Sequence, residues 1–111
     1  MIYGKVGQCP VDSEGYLIDP DDWTEEIGRG IAVSEYISMT DDHWKVINFM
    51  RAWYAANKLT ADVRIVTEYV SKTLGYGDRA KSRLYELFPY GYAGQACKIA
   101  GLRRPSVRRT A

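Results

Sequence analysis

The sequence predicts a small, mainly α domain: an orthogonal helical bundle with an N-terminal β-hairpin and a flexible basic C-terminal arm. Three observations lead there. Between positions 19 and 101, apolar residues recur at helical spacing, punctuated by helix-start residues and by glycine or proline stops. The first eighteen residues instead mix β-formers with turn residues. The last ten carry four arginines and Pro105 without any apolar period. A chain of 111 residues holds one folding unit, expected over 1–101 with the arm at 102–111. Hydrophobic residues at 46% and charged residues at 26% give it enough apolar surface for a core.

The hairpin rests on Tyr3, Val6, Val11, Tyr16 and Leu17, with Gly4, Gly7, Pro10 and the stretch Asp12-Ser13-Glu14-Gly15 for turns. Two strands are marginal alone, so they must lean on helices. Asp19 can cap a helix that Pro20 begins, and Trp23 and Ile27 then share a face. Asp21, Asp22, Glu25 and Glu26 suit its positive end. Gly28 and Gly30 are expected to end or bend it before 31–36.

Thr40-Asp41-Asp42-His43 opens a longer helix to about Asn57. Trp44, Ile47, Met50 and Tyr54, with Val46, Phe49 and Trp53 alongside, make it the central helix of the core. Thr60 is expected to cap the next helix, whose stripe is Val63, Val66, Val70 and Leu74, and Gly75 to end it. A helix after Asp78 buries Ala80, Leu84, Leu87 and Phe88 before Pro89 stops it. A last short helix at 92–100 ends at Gly101.

Composition narrows the functional classes. No apolar run approaches the ~20 residues of a membrane span, and the N-terminus lacks a signal peptide's pattern. Cys9 and Cys97 are too few for a secreted disulfide framework, so a cytoplasmic location is expected. The net charge of +1 conceals an asymmetry: residues 1–44 hold two cations against ten acids, and 45–111 hold thirteen cations against four. Two readings stand. Either the basic end meets an anionic partner, or the two halves neutralise each other internally.

Few residues carry recognisable chemistry. His43, the only histidine, sits in the first turn of a helix and reads as structural or solvated. One histidine and two distant cysteines match no metal-site spacing, and Gly75-Tyr76-Gly77 lacks the flanks of a phosphate loop, so no cofactor is expected. The helices at 41–57 and 61–74, joined by Lys58-Leu59-Thr60, have helix-turn-helix proportions. The second is neutral, however, where a DNA-reading helix brings positive charge. Cys97 stands among Ala93, Gly94, Ala100 and Gly101, which implies a shallow groove beside its sulfur. Lys98 and the tail arginines would favour its thiolate. The plainer reading is a small buried hydrophobe at a close helix contact.

At this last helix a family resemblance emerges. Phe88-Pro89-Tyr90-Gly91, then 95–102 (Gln-Ala-Cys-Lys-Ile-Ala-Gly-Leu) and Pro105, closely resemble the end of the DsrC/TusE sulfur-relay family. That family includes the gamma subunit of dissimilatory sulfite reductase. The stretch 12–17, Thr40-Asp41-Asp42-His43-Trp44, Ile47-Asn48-Phe49 and 84–88 resemble its hairpin turn, long helix and C-terminal approach. The resemblance implies a helical fold with a hairpin and a mobile arm whose penultimate cysteine carries sulfur as a persulfide. In the DsrC type a second cysteine lies eleven positions earlier, on the last helix. Cys97 matches that earlier cysteine; eleven positions on stands Arg108. The arm thiol is therefore absent, and Arg103, Arg104, Arg108 and Arg109 give the arm positive charge instead.

These features lead to an expected interaction protein rather than a turnover enzyme: a non-catalytic or regulatory relay member docking sulfite reductase or sulfurtransferase-type partners. Lys98, Arg103, Arg104, Arg108 and Arg109 are its candidate partner-binding residues, and Cys97 its one candidate sulfur-binding thiol. The alternatives are a single-thiol persulfide carrier using Cys97, and a DNA-binding regulator in which the helix pair and the arm hold nucleic acid.

Overall fold

The computed structural model describes residues 4–6 and 9–105. Two three-residue strands, β1 (Gly4–Val6) and β2 (Cys9–Val11), pair antiparallel in the register Gly4↔Val11, Lys5↔Pro10, Val6↔Cys9. The chain then turns at 12–16. The Asp12 carboxylate accepts from the amides of Glu14 (2.9 Å) and Tyr16 (3.0 Å), and Gly15 takes φ +90°, where side chains are disfavoured. A bridge between Val11 and Leu17 closes this turn, and Tyr16 and Leu17 enter the core.

The expected helix at Asp19-Pro20 is split. Asp19 caps only a single 3₁₀ turn, Pro20–Asp22, accepting from the Asp21 amide at 3.0 Å. The chain extends at Trp23, and Thr24 caps the full helix α1 (Glu25–Ser34). Gly28 and Gly30 lie within α1 rather than ending it. At Gly28 the missing side chain permits close approach: a Cβ there would lie 3.0 Å from the Trp23 ring and 3.2 Å from the Ile99 carbonyl.

Helix α2 (Asp41–Asn57) runs over the expected residues and buries Val46, Ile47 and Met50 completely. Thr40 and His43 cap each other's backbone at its start. The His43 Nδ1 accepts from the Thr40 amide at 3.0 Å, so Nε2 carries the proton and donates to the Leu87 carbonyl at 2.8 Å. With both ring nitrogens engaged and its edge against Phe88, His43 is a structural link from α2 to the end of α4.

Helix α3 (Val63–Lys72) is capped by Asp62, which accepts from Arg64 and Ile65 amides, and not by Thr60. Ala61 is fully buried and its carbonyl accepts from the Tyr92 hydroxyl, so the chain is pinned there before it can turn into a helix. Gly75 adopts φ +82° beyond the helix end. Helix α4 (Ala80–Leu87) buries Ala80, Leu84 and Leu87 as expected, with Phe88 fully enclosed just after it. Arg83 joins α4 to α2 through Asp42 at 2.9 Å, and Tyr76 donates to the same carboxylate.

The last helix begins as a wide π turn (Tyr92–Ala96) and tightens into a short α segment, α5 (Cys97–Ile99). Gly101 (φ +72°) terminates it: its amide donates to the Lys98 carbonyl at 3.0 Å and the Leu102 amide to that of Cys97 at 2.9 Å. Ile99, Ala100 and Leu102 are fully buried, so this segment lies in the middle of the core.

Candidate functional site around the last helix

The last helix is held by side chains from the turn at 12–16, the 3₁₀ segment, the end of α1 and α2. The Trp23 indole donates to the Ile99 carbonyl at 2.8 Å, and Arg51 donates to that of Ala100 at 3.1 Å while lying over the Trp23 ring. These bonds satisfy carbonyls that a helix end leaves without partners. On the opposite side, the Tyr16 hydroxyl donates to the Ala93 carbonyl at 2.7 Å. Gln95, almost fully buried, accepts from the Tyr90 amide at 2.9 Å and donates to Glu35 at 3.4 Å.

Cys97 sits inside this frame with no exposed surface. The open groove expected from its small neighbours does not reach the sulfur: the Trp23 ring packs against Gly101, and although a side chain at Gly94 would meet open space, Cys97 itself is fully buried. Burial pushes the thiol up to about 12, outweighing the Tyr92 hydroxyl and the Arg104 charge, both of which favour the thiolate. The expectation of a readily formed thiolate is thus reversed, and the thiol is protonated at neutral pH. Tyr92, desolvated beside it, is raised as well. Cys9, the other cysteine, is half-buried near the Asp22 carbonyl.

Of the expected partner-binding cations, two are engaged internally. Lys98 bonds Glu35 at 3.2 Å and lies over the Tyr16 ring. Arg104 bonds Glu14 at 2.8 Å and the Tyr16 hydroxyl at 3.2 Å, again over that ring. With Asp42–Arg83, these pairs join acids of the first 44 residues to cations of the basic end. Internal neutralisation therefore accounts for part of the charge asymmetry. Arg103 is exposed beside a cavity shared with Lys58, Leu59 and Thr60, while Arg108 and Arg109 lie outside the described residues.

The helix pair offers no charge surplus to DNA: Arg64 and Lys72 of α3 lie 3.6 and 3.8 Å from Asp62 and Glu68. Among the described residues, no His, Cys, Asp and Glu group could hold a metal ion, and no helix is long and apolar enough to cross a membrane. Sequence reasoning missed Tyr16, Trp23, Glu35, Arg51 and Gln95 as members of the site. A glutamine two residues before Cys97 was the one visible signal, since a polar group in an apolar helix needs partners.

Comparison with known proteins places this geometry among relatives. The family described as DsrC like protein matches residues 5–107. The sulfurtransferase TusE of Buchnera aphidicola subsp. Schizaphis graminum is 42% identical over 105 residues, covering 95% of this chain and 90% of that protein. The solution structure of Allochromatium vinosum DsrC aligns with a TM-score of 0.81 at 38% identity, covering 95% of this chain and 96% of that one. The oxidized gamma-subunit of the dissimilatory sulfite reductase (DsrC) from Archaeoglobus fulgidus aligns with a TM-score of 0.80 at 30% identity, with the same coverage.

Proposed function

The chain belongs to the DsrC-like family, and from that premise we propose that it serves sulfur relay as a docking or regulatory member that does not itself pass sulfur through a pair of thiols. Its partners would be sulfite reductase or sulfurtransferase-type proteins, by likeness to relatives named for those roles. One observation carries the reading: Cys97, the only cysteine at a position resembling a family thiol, is fully buried and held protonated. A sulfur acceptor must present a thiolate to its donor, and this one presents neither charge nor surface. The arm position eleven residues on holds Arg108, which has no sulfur chemistry.

The same burial gives the last helix a scaffolding role. Tyr16, Trp23, Arg51 and Gln95 fix its backbone, while Lys98 ties the end of α1 to it and Arg104 the turn at 12–16. The start of the arm at 103–105 therefore leaves the domain in a defined place, and a partner would meet a fixed surface with the arginines beyond it.

The deciding experiment incubates the folded protein with a persulfide donor and maps sulfur adducts by mass spectrometry, then adds a sulfur acceptor. No adduct at Cys97 is expected. A gain of about 32 Da at Cys97, lost in Cys97→Ser and passed to the acceptor, would overturn the reading in favour of a single-thiol carrier.

A further inference from the structure

A groove of about 470 Å³ lies between α3 and α4, away from the Trp23 side of the last helix. Its wall is apolar and deeply set: Leu84, Phe88 and Tyr92 are each at least nine-tenths buried. Val63 and Tyr85 line it as well, yet remain 45% and 58% exposed. An apolar cleft of this volume falls within the usual range for small-molecule sites, about 300–1,000 Å³.

Charge distinguishes this groove from an ordinary gap between helices. Two of its lining residues, Arg64 and Lys81, are cations, and none is a carboxylate. Arg64 is 91% exposed and reaches Asp62 only at 3.6 Å, a loose surface pair. Lys81 forms no ion pair within 4.0 Å among the described residues. An apolar wall with two cations selects a ligand having an apolar body and a negative head. The chain's own basic tail, with Arg103, Arg104, Arg108 and Arg109, has the wrong sign to occupy it.

We propose that the α3–α4 groove, walled by Leu84, Phe88 and Tyr92 and flanked by Arg64 and Lys81, is a binding site for a small amphipathic anion of the alkyl or aryl carboxylate class. The apolar body lies along Val63, Tyr85 and the exposed edge of Tyr92, over a floor backed by the buried Phe88 and Leu84, and the carboxylate meets Lys81 and Arg64. Any occupant rests on Tyr92, whose hydroxyl is bonded to Ala61 and faces the Cys97 thiol. The site is independent of whether the chain transfers sulfur.

The test uses the full chain, labelled for NMR, titrated with octanoate and separately with octanol. Saturable shifts from octanoate confined to α3, α4 and Tyr92 are expected, with octanol binding about tenfold more weakly and added salt narrowing that gap. Lys81→Glu, at an exposed position, should weaken octanoate about tenfold while leaving thermal unfolding unchanged. Val63→Glu should abolish binding by placing a carboxylate at the groove, and the first turn of a helix tolerates an acid. Equal binding of octanoate and octanol, shifts outside the groove, or no saturable shift would each overturn the proposal. So would binding of an acidic, apolar peptide at this groove when octanoate fails to bind, since the site would then be for a protein segment.

Discussion

Trp23 and Gly101, 78 positions apart in sequence, occupy what would be a single side-chain volume. A Cβ on Gly101 would fall 2.4 Å from the Trp23 ring, well inside contact distance. The same indole donates to the Ile99 carbonyl, so the 3₁₀ segment before α1 and the last helix are fitted around one ring.

Gly101→Ala is therefore expected to cost about 2–4 kcal/mol, from left-handed backbone strain plus displacement of a packed ring. Urea unfolding of the wild type and the variant measures this directly. In a Trp23→Ala background the steric part should vanish and only the backbone part remain, a non-additivity that identifies the contact. An unchanged midpoint for Gly101→Ala would refute the account.

This contact also marks where sequence legibility stops. Helix α2 was readable because Thr40 is a cap and apolar residues repeat for four turns behind it. Helix α4 and the stop at Gly101 were readable for similarly local reasons. At Asp19 and Thr24, and again at Thr60 and Asp62, two competent caps stand a few residues apart. At the first pair both are used, Asp19 for a 3₁₀ turn and Thr24 for α1; at the second, Ala61 held by Tyr92 leaves the cap to Asp62. Cys97 was misread for a deeper reason. Its small neighbours implied open space beside the sulfur, but at Gly101 the missing side chain admits the Trp23 ring instead, and the space left at Gly94 does not expose the thiol. Likewise, counting cations could not show that Lys98 and Arg104 already face Glu35 and Glu14.

His43 should make stability depend on pH in a window where few other groups titrate. Burial holds its pKa below the ordinary 6.5, with the Arg83 charge adding to the effect and the Leu87 carbonyl opposing it. The unfolded chain takes up a proton as pH falls through about 6.5, while the folded chain resists doing so. Stability is thus full above that pH and declines below it, with a slope of at most about 1.4 kcal/mol per pH unit. Denaturant midpoints between pH 7 and 5 should fall for the wild type and flatten in His43→Gln, which also loses stability through weaker bonds to Thr40 and Leu87. NMR gives an independent check, because the single imidazole needs no assignment among others. A ring that protonates near 6.5 in the folded state would contradict the buried, doubly bonded geometry.

At the alkaline end, Cys97 should act with the opposite slope. Its thiol ionises near 9 when unfolded and only near 12 in the fold, so above pH 9 the unfolded state releases a proton that the folded state keeps. Stability then falls as pH rises, with a slope of at most about 1.4 kcal/mol per pH unit. Between pH 9 and 10 this contribution is separable, since Tyr92, also raised by burial, adds to it only above the ordinary tyrosine value of 10. Cys97→Ala should remove the slope in that interval while costing stability at neutral pH through the small cavity it leaves. The same burial governs reactivity. Iodoacetamide at pH 8 should label half-buried Cys9 first, and label Cys97 only as fast as the last helix opens, so that low urea accelerates the second event and barely affects the first. Fast labelling of Cys97 in the native protein would mean that the helix opens readily, and the scaffolding role assigned to it would fail.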